Sequence, residues 1–175
     1  MTSRISMPAM RQVLRDPDTS LWRRLTRLHE PVIYEIAEPY AYETIVAGVR
    51  LPLLLPAGFR SDLASTPRLT WIFGFRPDGV LCLPGLYHDF YYRHGFYLAE
   101  RLSGPVRIGM GLGKTFADQL LAQMTTELAG IRSPGCIARL ALTLGGWPAW
   151  WRNQQYRDRV AEDLTLLELI GDYHD

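Results

Sequence analysis

The sequence predicts an α+β fold. Three short runs of β-branched and aromatic residues, punctuated by proline and glycine, fill residues 31–56, and apolar residues then recur at helical spacing towards the C-terminus. That order implies a small N-terminal antiparallel β-meander followed by a helical body in which two site helices pack together. Residues 31–175 read as a single α+β domain, and residues 1–30 as an N-terminal arm or short helix.

Taken in order, the arm is arginine-rich and has a short amphipathic stretch over residues 21–28, either packed on the domain or on a partner, or a marginal surface helix. Val32-Ile33-Tyr34-Glu35-Ile36 has strand composition and ends before Pro39. Tyr42-Glu43-Thr44-Ile45-Val46 alternates up to Gly48, and a third run from Val49 to Leu55 stops at Pro56-Ala57-Gly58. Thr66-Pro67 is an N-cap followed by proline at the first helical position, opening a helix that Gly74 ends. A second helix spans 84–93, with Pro84 in its first turn and Gly95 after its end. Residues 103–113 carry four glycines and a proline and read as a loop. Residues 114–128 then form a helix with Phe116, Leu120, Leu121, Met124 and Leu128 inward. A short apolar helix follows over 137–144, and an amphipathic one over 154–170.

Size and composition restrict the function. A chain of 175 residues buries about 70% of its unfolded surface without staples. A net charge of +1 offers no electrostatic footprint for nucleic acid. Cys82 and Cys136 lie far apart in apolar runs, so they read as small buried hydrophobes rather than a disulfide or zinc pair. The N-terminus lacks the apolar core of a signal peptide, and the run 136–150 is too broken to span a bilayer. The expectation is a soluble chain made in the cytoplasm.

The chemistry concentrates in Tyr87-His88-Asp89-Phe90-Tyr91-Tyr92-Arg93 and in the later Ala117-Asp118. His88 and Tyr92, at i and i+4, share one helical face, while Asp89 points about 100° away. In a hydrolytic reading His88 is the general base, Asp118 orients it, and Asp89 holds a divalent cation. The alternative makes His88 a hydrogen-bonded core histidine and pairs Asp89 with Arg93.

Two motifs resemble a known family. Pro56-Ala57-Gly58-Phe59-Arg60-Ser61-Asp62-Leu63-Ala64-Ser65-Thr66-Pro67-Arg68 is similar to the VPAGFxTDxASIPR signature of a phage- and prophage-associated domain of unknown function. His88-Asp89-Phe90-Tyr91-Tyr92-Arg93 matches that family's HDYLYR, and Ala117-Asp118 its later AD helix. The resemblance covers roughly residues 32–150. It implies phage origin and a place in or near the tail, with other tail or virion proteins as partners. It also implies synthesis in the host cytoplasm and incorporation into the virion. More distantly, HDxxY followed by a later Asp is similar to the core of phospholipase A2 enzymes. That resemblance implies membrane lipid as substrate, with His88 activating water, Asp89 ligating calcium, Tyr92 bonded to Asp118 and Asp118 orienting His88. The phospholipase calcium loop and disulfide framework have no clear counterpart here, and one side-chain carboxylate cannot fill a calcium shell.

Other candidates carry less. Asp62 is either an additional ligand or a capping carboxylate at a strand-to-helix corner. Ser65 and Thr66 lack the GxSxG setting of a nucleophile. The run Gly109-Met110-Gly111-Leu112-Gly113-Lys114-Thr115 lacks the full GxxxxGK[ST] pattern and the strand before it, which rejects a nucleotide site. Trp147-Pro148-Ala149-Trp150-Trp151-Arg152 reads as a satellite core or as an interface or membrane-surface anchor. His29, His94 and His174 have no partner spacing and are given no role.

Overall fold

A computed structural model describes residues 7–13, 33–61, 79–101 and 104–160, the last seven by their backbone. Asp62, the helix start at Thr66-Pro67, the 21–28 segment and the expected helical residues beyond 160 lie outside the described residues.

The α+β class holds. Strands β1 (Met10–Gln12), β2 (Tyr34–Ile36) and β5 (Arg60–Ser61) form one antiparallel sheet in the order β1-β2-β5. Its register sets Arg11 and Arg60 opposite Glu35, whose carboxylate accepts from Arg11 Nε at 2.8 Å and Arg60 Nε at 2.7 Å. Opposite charges facing across strands are the sheet's counterpart of a helical i,i+4 pair. Met10–Gln12 therefore ties part of the N-terminal arm into a sheet.

Strands β3 (Tyr40–Val46) and β4 (Val49–Leu55) form a hairpin in a second sheet, order β3-β4-β6-β7. Its turn, Ala47-Gly48, has positive φ at both residues, which suits the right-handed twist of the flanking strands. Strands β6 (Tyr97–Ala99) and β7 (Val106–Ile108) complete this sheet, β7 within the 103–113 segment expected to be loop and β6 in a stretch given no element. These runs are too short, and too close to glycines, to show strand periodicity on their own. The ladder of β4 supplies the hydrogen-bond partners that make β6 a strand.

Helix α1 (Cys82–His94) lies against this sheet and ends at Gly95, whose left-handed conformation lets its N–H reach Tyr91 O at 2.7 Å. Each i,i+4 pair of α1 has its own neighbour. Tyr87 donates to Leu53 O at 2.8 Å, and Tyr91 to Gly109 O at 2.7 Å. Gly109 is obligatory there, because a Cβ would lie 2.7 Å from the Phe116 ring and its φ is positive. Phe90 and His94 pack edge-on or tilted against Phe59 and Phe96. Asp89 and Arg93 face β5, and His88 and Tyr92 face the next helix.

That helix, α2 (Gly113–Ala129), buries Leu120, Leu121 and Met124 as expected, with Phe116 and Leu128 partly buried at the core margin. Helix α3 (Ser133–Gly145) packs on α2 through small residues: a Cβ at Gly135 would sit 2.3 Å from the Ala122 carbonyl oxygen. Helix α4 (Trp147–Val160) begins at the tryptophan cluster. Trp150 turns inward, 5.1 Å from the Tyr92 ring, whereas Trp147 and Trp151 are exposed. The cluster is therefore not a satellite core: Trp150 joins the main core beside Tyr91 and Tyr92, and the other two tryptophans stay outside it. Cys82 is buried, but Cys136 is exposed on α3, contrary to expectation, because the small side of α3 faces α2 and its apolar side faces out.

This packing yields a paired prediction. Gly135→Ala overpacks the α2–α3 contact and should cost about 1–3 kcal/mol. Gly145→Ala, where a Cβ meets nothing within 4 Å, should leave stability unchanged or raise it slightly. Urea melts of the two variants compare them; equal loss in both would contradict the packing.

Candidate functional site

The His88–Tyr92 face of α1 meets Asp118 of α2. His88 Nε2 lies 2.9 Å from Asp118 Oδ1, and Tyr92 donates to the same oxygen at 2.8 Å. The imidazole and phenol rings sit 4.0 Å apart, so the pair occupies a single patch of helix. Three of the four expected site side chains therefore converge. The fourth, Asp89, projects elsewhere: it is half-buried, and its Oδ2 accepts from Ser61 Oγ at 2.6 Å.

One member escaped the sequence reading. Lys114, the chain's sole lysine, is 6% exposed and donates to the other carboxylate oxygen, Asp118 Oδ2, at 2.5 Å. It also donates to Leu142 O at 2.8 Å and lies 5.3 Å from the centre of the Trp147 ring. Gly146 leaves room for it: a Cβ there would stand 3.0 Å from Lys114 Cε and 2.6 Å from Leu142 O. The available signal was the i,i+4 spacing of Lys114 and Asp118 on one helix.

Asp118 thus accepts from a histidine, a tyrosine and a lysine while almost wholly buried. Burial by itself raises its pKa. The hydrogen bonds from His88 and Lys114, with the nearby positive charge and Tyr92, outweigh that and hold it below the ordinary carboxylate value. An ionised carboxylate only accepts, so His88 must carry its hydrogen on Nε2 in this contact, leaving Nδ1 to take a proton. Desolvation first, and then the Asp118 charge, push the Tyr92 phenol far up, so it stays a donor.

Calcium needs six to eight oxygens. Among the described residues no three His, Cys, Asp or Glu side chains gather as a metal site, and Asp62 lies outside them. Asp89 alone does not make the shell. No protein family, curated protein or solved structure matches the chain. Among the described residues no helix is long and apolar enough to cross a membrane.

Lys114 changes the expected response of Asp118. Asp118→Asn leaves a buried ammonium without its counter-charge, and Lys114→Met removes a donor from a buried carboxylate. Each should cost about 3 kcal/mol. The double variant should cost clearly less than the sum, since neither charge is then stranded. A denaturation cycle measures this, and additive losses would argue against a direct pair. The pH dependence follows from the lowered Asp118 pKa. Its stabilisation is complete above the unfolded-state value of about 3.9 and is lost as pH falls through the lower folded value. The stability gap between wild type and Asp118→Asn should accordingly shrink below about pH 4.

Proposed function

We propose that this chain is a phage-associated hydrolase with a phospholipase A2-like His–Asp site, acting on a lipid ester or another component of the cell envelope. The observation that carries the reading is the buried contact of His88 Nε2 with Asp118 Oδ1, steadied by Tyr92. In this reading His88 Nδ1 takes a proton from water as the oxygen attacks the ester carbonyl. The imidazolium that forms is stabilised by the Asp118 carboxylate, and its proton then passes to the departing alkoxide. Asp118 and Tyr92 hold the ring in the required tautomer. The phage setting rests on the signature at residues 56–68 and the HDxxYR motif. A calcium requirement belongs to the same proposal, with Asp89 as ligand and Asp62, next in sequence to Ser61, as an additional one.

A second reading is favoured by Lys114. An Asp118 already neutralised by a buried ammonium serves well as a clamp between helices, which suits a non-catalytic structural component of the virion at the tail tip or baseplate. Such a component would bury at least roughly 1,000 Å² against its neighbours.

Labelled phospholipid vesicles, with calcium or with chelator, test the first reading. Wild type should hydrolyse them, and His88→Gln, which keeps an amide donor for Asp118, should lose about 10²–10⁴ in rate with little change in melting temperature. Equal turnover by the two proteins would remove the catalytic role of His88. No turnover together with recovery of the chain in purified particles would favour the structural reading.

A further inference from the structure

The outer face of α3 is unusual for a surface helix. Gly135 and Ala138 are buried towards α2, with Leu142 half-buried between them and the helix end. At 100° per residue, Ile137, Leu140 and Leu144 fall on the opposite side, and they are 50%, 60% and 77% exposed. The apolar surface continues on the first turns of α4, where Trp147 and Trp151 are exposed with ring centres 6.4 Å apart. A helix apolar on both sides needs a cover for each, and among the described residues only the side towards α2 has one.

The charges around this face identify the cover. Residues 131–153 contain Arg132, Arg139 and Arg152, all exposed, and neither Asp nor Glu. Arg132 and Arg139 fall on one flank of α3, so a second copy docking symmetrically through the apolar face would bring flanking arginines together with no acid in residues 131–153 to pair them. An anionic bilayer supplies the opposite charge, apolar depth for the leucines and the interfacial layer that tryptophan favours. We propose that α3 and the start of α4 form a docking face for anionic membrane surfaces. The proposal deepens the envelope-lipid reading and rests on it for its purpose. The same helix receives Lys114 through Leu142 O, so docking would occur on the element that braces the Asp118 cluster.

Ether-linked phospholipid vesicles test binding apart from hydrolysis, because they hold no carboxylic ester. The full chain should co-sediment with ether-linked phosphatidylglycerol vesicles, much less with ether-linked phosphatidylcholine, and less as salt rises. Leu140→Asp and Leu144→Asp should each weaken binding at least about tenfold, with melting temperatures unchanged. Arg139→Glu should reduce the preference for the anionic lipid. Absence of binding to the anionic vesicles, or binding undiminished in both Asp variants, overturns the proposal. Self-association abolished by Leu140→Asp, with no vesicle binding, would assign the face to a second copy instead. Binding to ether lipid without turnover of ester lipid would defeat the hydrolase reading and leave this one standing.

Discussion

The helical body depends on one buried carboxylate. Taking an ion the size of Asp118 out of water costs several kcal/mol, and only well-placed donors offset that. Here Oδ1 takes two from α1 and Oδ2 takes the ammonium of Lys114, which in turn reaches the α3 carbonyl of Leu142 and the Trp147 ring of α4. A hydrogen bond to a charged group contributes about 1.5–3 kcal/mol. Together these contacts match the desolvation cost, and they fix the relative position of α1 and α2 more sharply than apolar packing does. Aliphatic side chains tolerate sliding; a carboxylate shared by a ring nitrogen and a phenol does not.

The geometry of α1 allows this arrangement to coexist with the core. Its i,i+4 pairs divide the helix surface among the two sheets, a phenylalanine cluster and α2, so the polar pair His88–Tyr92 is buried without displacing the apolar ones. Tyr87 and Tyr91 anchor the helix to backbone carbonyls and stop it from rotating. Rotation by one residue would turn His88 away from Asp118 and set Tyr87 in its place. The orientation of a candidate base is thus secured by tyrosines that take no part in its chemistry.

Much of this was legible in the sequence because local spacing encodes it. The 88/92 pair follows from helical periodicity, and the later Asp118 sits at the margin of a clear apolar face. The hairpin of β3 and β4 follows from alternation around Gly48. What escaped depends on non-local partners. Tyr97–Ala99 is a strand because β4 offers an edge, and Val106–Ile108 because β6 then offers its own, which no local pattern announces. Lys114 sits in a glycine-rich run that reads as a failed phosphate loop, and its burial requires Leu142 and Gly146 from another element. Helix α3 inverts the usual expectation, since Gly135 and Ala138, with Leu142 beside them, turn inward while Ile137, Leu140 and Leu144 face out. Periodicity reveals two faces but not which one turns inward.

The central claim is that His88 presents an Nε2–H to an ionised Asp118 and keeps Nδ1 for proton transfer. Long-range ¹H–¹⁵N spectra of the histidine rings, with His88 assigned by its loss in His88→Gln, read the tautomer directly. The account predicts a His88 ring that carries hydrogen on Nε2, and a marked shift of that resonance in Asp118→Asn. A ring protonated at Nδ1 alone, or a signal indifferent to Asp118, would contradict it.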